Sequence, residues 1–406
     1  MSPSSEPTQP ASPRLLSLDA LRGFDMLMIL GADESLYALQ KMHGTGVTGF
    51  LAAQFDHAEW AGFRFYDLIF PLFVFMVGMS IVFSLQKHLT AEGRGAAYRR
   101  LFRRFVLLFV LALIYSGGVS QRWPEIRLLG VLNRIALCYL FASLIFLNVR
   151  WKGLIAVTAA LLVGYWALMT FVPFPDVRPR TASGELVSTT LTATNTAQLN
   201  WSSTHTRRGV FDKGLNLANY LDQKYLPGRK WDGTWDPEGL LSTLPAVATC
   251  LLGVLAGLLI RNPRLSEQRK VFFLAGAGVA CLAAGWLWGL QFPVIKKIWT
   301  SSYVLVAGGW SALLLAAFHQ VIEIWQWRRW TTPFLWIGAN AITLYLASNL
   351  VNPTRLAHRL AGGDVKHFLD ATVGGGAGEL VIALAGLGLL LALARFLYQR
   401  KIFLRV

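Results

Sequence analysis

The sequence predicts an all-α membrane bundle of about ten transmembrane helices, with both termini in the cytoplasm. Three observations carry this. Of 406 residues, 54% are hydrophobic and only 15% charged, against about 25% charged in soluble domains. Mean hydropathy is +0.46. The apolar residues gather into stretches of about 20, the length that crosses a bilayer. The 15 Trp and 25 Phe suit lipid-facing and interfacial positions. This composition excludes a cytosolic globule, a disordered chain and a disulfide scaffold.

Ten spans are expected, at approximately 15–40, 65–86, 102–118, 128–149, 153–172, 241–260, 271–290, 302–322, 333–351 and 377–398. Residues 1–13 are polar and Ser/Pro-rich and read as a disordered tail. They lack the basic start and small-residue cleavage site of a signal peptide. Residues 14–406 read as one transmembrane domain with an external loop at 173–240.

Orientation follows the basic residues near helix ends. One set of ends carries Arg99, Arg100, Arg103 and Arg104, then Arg261, Arg264, Arg269 and Lys270, then Arg395, Arg400 and Lys401. The other set is sparser, with Lys41, Arg64, Arg122, Arg127, Lys296, Lys297, Arg355, Arg359 and Lys366. The denser set marks the cytoplasm. The formal net charge of +16 is therefore a topology signal spread in short runs, and no nucleic-acid partner is expected. Cys138, Cys250 and Cys281 lie in apolar stretches without a CxxC pattern, so they read as small core residues. No metal site is expected.

Ionisable groups inside spans are costly and usually functional. The first span carries Asp19, Arg22, Asp25, Asp33 and Glu34. Arg22 and Asp33 are eleven residues apart, so on one helix they share a face about 16 Å apart along the axis. Asp19 and Asp25 sit three residues either side of Arg22 and read as its ion-pair partners. Asp33 has no such partner and invites a functional role. His57 falls at the outer boundary before the second span. Imidazole exchanges protons near neutral pH and its neutral nitrogen is nucleophilic, and Asp33 lies at a similar depth to orient it.

Asp236 and Glu238 precede the sixth span. They read either as a grip on a cationic amine or as a helix start, with Asp capping before Pro. Trp201, Tyr220, Tyr225, Trp231 and Trp235 in the long loop read equally as sugar platforms or as an interfacial belt. Arg134 lies within a span and needs an interior partner.

Several segments, in order, resemble one family. They are Leu18-Asp19-Ala20-Leu21-Arg22-Gly23; His57-Ala58-Glu59-Trp60-Ala61-Gly62, followed by Asp67-Leu68-Ile69-Phe70-Pro71; Gly130-Val131-Leu132-Asn133-Arg134; Trp235-Asp236-Pro237-Glu238; Lys297-Ile298-Trp299-Thr300-Ser301-Ser302-Tyr303; and Gly338-Ala339-Asn340-Ala341-Ile342. Together they resemble the transmembrane acyltransferases typified by heparan-alpha-glucosaminide N-acetyltransferase, and especially their bacterial relatives.

The resemblance implies a multi-pass inner-membrane enzyme that takes acetyl-CoA from the cytoplasm and acetylates an amino sugar on the far side. It implies a catalytic role for His57 and, at the position of an active-site asparagine, for Asp33. Trp60, Asp67, Asp236, Glu238 and Asn340 would bind the acceptor, with Asn340 receiving the developing oxyanion. Arg22, Arg134, Lys297, Trp299 and Ser302 would bind coenzyme A, its pantetheine arm lying along the stripe from Arg22 to Asp33. Asp33 for asparagine, and Ala61 where the human-type pattern has Asn, are departures. The alternatives are an amino-sugar permease and an O-acyltransferase of envelope polysaccharide. The sequence leaves room for a homodimer.

Overall fold

Hydropathy and length together decide which helices can stand alone in a bilayer. The computed structural model describes residues 15–44, 46–179, 193 and 195–404. The expected tail at 1–13 lies outside them, as do 180–192 and 194 of the long loop. The elements are α1 (Leu16–Leu27), α2 (Asp33–His43), α3 (Val47–Gln54), α4 (Phe65–Ala91), α5 (Gly93–Tyr115), α6 (Val131–Asn148) and α7 (Trp151–Phe171). A short antiparallel pair follows, β1 (Phe174–Pro175) with β2 (Thr206–Arg207), then α8 (Leu217–Tyr225). The chain continues through α9 (Thr243–Arg261), α10 (Glu267–Gly289), α11 (Ser301–His319), α12 (Thr332–Ala339), α13 (Ala341–Leu350), α14 (Pro353–Ala361), α15 (Asp364–Thr372) and α16 (Ala377–Gln399).

Seven helices among the described residues are long and apolar enough to cross a membrane: Phe65–Leu85, Val131–Asn148, Trp151–Phe171, Thr243–Arg261, Glu267–Gly289, Ser301–Ile324 and Ala377–Gln399. The other three expected spans are helical but fall short, each for a physical reason. The first breaks between α1 and α2. A wide π-type turn over Met28–Ala32 includes Gly31 at φ 118°, a conformation glycine reaches without a steric penalty. α5 carries five arginines in its first half, Arg94, Arg99, Arg100, Arg103 and Arg104. The expected span 333–351 breaks at Asn340, between α12 and α13.

Burial sorts the helices. α4 and α9 form the centre of the bundle, whereas α7, α10 and α16 turn most of their surface outward. One continuous core runs through α1, α4, α6, α9 and α11. A second, smaller core packs Tyr165 and Met169 of α7 against Phe174, Leu217, Tyr220, Phe292 and Ile298. It ties the long loop to the bundle end that holds His57.

Small residues set the closest crossings. A Cβ on Gly78 of α4 would collide with the Cys250 carbonyl of α9, and one on Gly253 of α9 with the Phe75 carbonyl of α4. Gly23 of α1 and Gly338 of α12 are matched in the same way against Phe334 and Asp19. Helix association in lipid depends on such backbone proximity, because lipid tails are as apolar as the side chains they would displace.

Replacing Gly253 by Val should force α4 and α9 apart, at a cost of roughly 1–3 kcal/mol or more. The expected outcome is a lower melting temperature in detergent and a loss of monodisperse protein on size exclusion. A change on the outward face, such as Val279→Leu on α10, where Val279 is exposed, should leave both unchanged.

Candidate active site

The helix bundle brings the chain between α3 and α4 to one end of the molecule, and this segment carries His57. The segment is held from below by Asp67, in the first turn of α4. The Asp67 side chain has no solvent exposure, while His57 is about half exposed, at 47%. Asp67 Oδ2 accepts the backbone N–H of Ala58 at 3.2 Å and of Arg64 at 3.0 Å. Its Oδ1 lies 2.9 Å from His57 Nδ1. A carboxylate only accepts, so Nδ1 carries a proton in this contact, and in the neutral ring Nε2 keeps its lone pair. The Tyr303 hydroxyl donates to the Asp67 backbone carbonyl at 2.8 Å, which pins this turn to α11.

Lys296, in the loop between α10 and α11, reaches the same group. Its Nζ is 3.0 Å from His57 Nδ1, 3.2 Å from Nε2 and 3.5 Å from Asp67 Oδ1. With Nδ1–H committed to Asp67, the ammonium donates to Nε2. Burial pushes the Lys296 ammonium below the usual lysine range, although Asp67 and Glu238 pull the other way. His57, Asp67 and Lys296 thus form one polar cluster spanning three segments of the chain.

Asp33, the expected orienting carboxylate, is not a partner of this ring. It accepts from the Tyr66 hydroxyl at 3.4 Å, and the Tyr66 ring stands 5.0 Å from the imidazole. The break at Gly31 removes Asp33 from the face it would share with Arg22 on a straight helix. Asp67, expected as an acceptor-binding residue, holds the position next to His57.

The cluster sits at the edge of a cavity of about 420 Å³. Its floor is apolar, with Met26, Ile29, Phe70, Phe73, Leu132 and Ile135. Its rim is polar and aromatic, with His57, Arg127, Trp231, Glu238, Lys296 and Lys297. Asp236 and Glu238 do not offer free carboxylates to an amine. Arg127 takes both oxygens of Asp236, at 2.8 and 2.7 Å, and Glu238 Oε2 at 2.6 Å. Its guanidinium also lies 5.0 Å from the Trp231 ring centre. Burial works against the Arg127 charge, but the two carboxylates outweigh it and raise its pKa. Burial likewise pushes the Glu238 carboxyl up. Asp236 does not start a helix either, because α9 begins at Thr243.

The remaining expected residues divide. Trp60 donates its indole N–H to the Phe211 carbonyl at 2.8 Å and packs edge-on against the buried Trp235, so it anchors the long loop. Trp231 is the loop aromatic that reaches the cavity rim and is exposed. Lys297 pairs with Asp232 at 2.8 Å. Trp299 lines the cavity and donates to Thr249 Oγ1 at 3.0 Å. It holds a left-handed φ of 52°, which is unusual for a bulky residue. Arg134 stacks 5.0 Å from the Trp299 ring centre and donates to Ser242 Oγ and to the Gly239 carbonyl, the latter at 3.2 Å. Ser302 donates to the Phe292 carbonyl at 2.6 Å and does not line the cavity. Asn340 is buried at the α12–α13 break, away from the cavity lining.

Arg22 lies at the opposite end of the bundle. It pairs with Asp19 at 3.3 Å and with Ser80 Oγ at 3.1 Å, beside a second cavity of about 190 Å³. Asp25, expected as its second partner, is fully buried, and its carboxylate has no hydrogen-bond partner among the described residues.

Sequence reasoning did not single out Lys296 or Arg127 as site residues, and offered Trp231 only as one of five loop aromatics. The signal for Lys296 was its place directly before the Lys297-to-Tyr303 segment, where it read only as an orientation charge. Arg127 stands three residues before Gly130 in the same way.

Residues 14–210 match the family model described as heparan-alpha-glucosaminide N-acetyltransferase, catalytic. His57, Asp67 and Arg127 all fall inside that match. The family resemblance read from the motifs holds. The human heparan-alpha-glucosaminide N-acetyltransferase is 26% identical over 376 residues, covering 82% of this chain and 52% of its own length. The mouse protein of the same name is 25% identical over 345 residues, covering 73% of this chain and 49% of its own. The chain thus spans about half the length of the curated relatives it matches.

Asp222 of α8 supports the turn that carries Glu238. It accepts the Leu240 N–H at 2.8 Å, and Gly239 packs so closely that a Cβ there would collide with its carboxylate. Burial pushes the Asp222 carboxyl up to about 7, far above its unfolded value of about 3.9. A raised carboxyl makes the folded state bind more protons than the unfolded one, so this contribution is lost as pH rises from about 4 through 7. Asp222→Asn should therefore gain most in melting temperature over the parent at pH 8, less at pH 5 and nothing at pH 4, as read by thermal unfolding in detergent.

Proposed function

We propose that this chain is a transmembrane N-acetyltransferase that moves an acetyl group from acetyl-CoA to the amine of a glucosamine-type sugar. The observation that carries the reading is the pairing of half-exposed His57 with fully buried Asp67 at the edge of a largely apolar cavity. The relatives, named as glucosaminide N-acetyltransferases, supply the reaction class.

The chemistry follows from the placement of the groups. An amine near neutral pH is mostly protonated and must lose that proton to attack. His57 Nε2 is the available acceptor once Lys296 swings away from it. Asp67 holds Nδ1–H, fixes the tautomer and stabilises the imidazolium that forms. The Lys296 ammonium then donates to the oxygen of the thioester carbonyl as charge builds there. The amine–carbon bond forms, the carbon–sulfur bond breaks, the His57 imidazolium returns its proton to the leaving sulfur, and the attacking nitrogen then gives its second proton to His57 and on to solvent. The same placement lets Nε2 attack the carbonyl first, in a two-step transfer through His57. Lys296 takes the oxyanion role expected of Asn340, which is buried elsewhere. Asp33 acts on the ring only through Tyr66.

We place the acetyl donor on the cytoplasmic side and the sugar on the periplasmic side of an inner membrane, with ten crossings and both termini inside. The basic clusters at the Arg22 end support this orientation. One face of α1 and the turn after it supports the path, since Asp19 and Arg22 line the second cavity while Met26 and Ile29 line the first. Arg22 suits the coenzyme phosphates, and the apolar floor suits the pantetheine arm.

Purified protein given acetyl-CoA and glucosamine should release free thiol and form the N-acetyl sugar. His57→Ala should lower the rate at least about 100-fold. Asp67→Asn should do the same by about 100-fold or more, while Asp33→Asn stays within about tenfold of the parent. No thiol release by the parent protein would overturn the reading. A larger loss for Asp33→Asn than for Asp67→Asn would return the orienting role to Asp33.

A further inference from the structure

The start of α6 faces the cavity, and the site above uses only its Leu132 side chain, as part of the apolar floor. Gly130, Val131, Leu132 and Asn133 all line the cavity. Gly130 is the N-cap and contributes no side-chain cap, so the first-turn N–H groups have no helical acceptor. Asn133 adds an independent observation. It has no solvent exposure, and neither its Oδ1 nor its Nδ2 finds a hydrogen-bond partner among the described residues. A buried carboxamide left unpaired is destabilising, and the penalty is relieved when a ligand supplies the missing partners.

We propose that Asn133 and the first turn of α6 bind an amide of the coenzyme's pantetheine arm, with Nδ2 donating to the amide carbonyl and Oδ1 accepting the amide N–H. This rests on the acetyl-donor reading above. The chemistry of the surroundings selects the amide. The cavity that Asn133 lines is walled by Leu132, Ile135, Phe73 and Met26 among others, which suits an aliphatic chain interrupted by a single polar unit. A carboxamide offers one donor and one acceptor side, the complement of a secondary amide. A sugar, with several hydroxyls, needs more polar partners than this wall holds and finds them at the rim.

The test measures coenzyme A binding to the purified protein in detergent, together with the melting temperature of the unliganded protein. Asn133→Leu should weaken coenzyme A binding about tenfold or more, the loss of one or two hydrogen bonds. The unliganded melting temperature should stay level or rise, because an unpaired polar group has been replaced by an apolar one of similar size. Asn133→Ala should show the same weakening and stands in if the Leu variant does not fold. Coenzyme A binding equal to the parent in either variant would overturn the assignment, as would a fall in unliganded stability with binding unchanged. Absence of binding by the parent would overturn the acetyl-donor reading itself, and this inference with it.

Discussion

A carboxylate without solvent exposure must be paid for by partners, and the partners of Asp67 organise the whole end of the molecule. Two backbone N–H groups, the His57 ring and the Lys296 ammonium converge on it. Removing one partner from such a cluster leaves charge buried and uncompensated, which costs more than the contact itself contributes. The cluster therefore fixes the loop before α4, the loop before α11 and the imidazole together. The Tyr303 bond to the Asp67 carbonyl carries that order into the central helices.

The rest of the rim follows the same rule. Asp236 and Glu238 are buried acids, and they are accommodated because Arg127 meets both. That pairing holds the long loop against the cavity and presents Trp231 beside Lys296 and Lys297. Polar groups with partners build the rim, and the apolar floor lies beneath them. Asn133, Asp25 and Asn340 are among those that depart from this pattern, buried without partners among the described residues. The first lines the cavity, the second sits on α1 between Arg22 and Met26, and the third lies at the α12–α13 break.

Much of the fold was legible because hydropathy is local. Seven of the expected spans are uninterrupted helices, since twenty apolar residues need nothing but lipid to be helical. The interrupted ones turn on single residues, Gly31 and Asn340, whose effect on the backbone is visible only once the neighbours pack. His57 was legible from its place at a membrane boundary and from the motif around it. Its partner was not. A straight first helix points to Asp33, whereas the helix breaks at Gly31 and Asp67 is the carboxylate found on the ring. Lys296 lies 239 residues from His57 in the chain, and Arg127 lies 109 from Asp236. No helical or strand spacing links pairs so distant.

The account depends on Asp67 setting the His57 tautomer so that Nε2 is free for chemistry. Nitrogen NMR of protein labelled at histidine, with the His57 signals identified by their loss in His57→Gln, measures this directly. At a pH where the ring is neutral, the account predicts a protonated Nδ1 and an unprotonated Nε2, with the preference lost in Asp67→Asn. A protonated Nε2 in the parent protein, or a tautomer indifferent to Asp67→Asn, would contradict it.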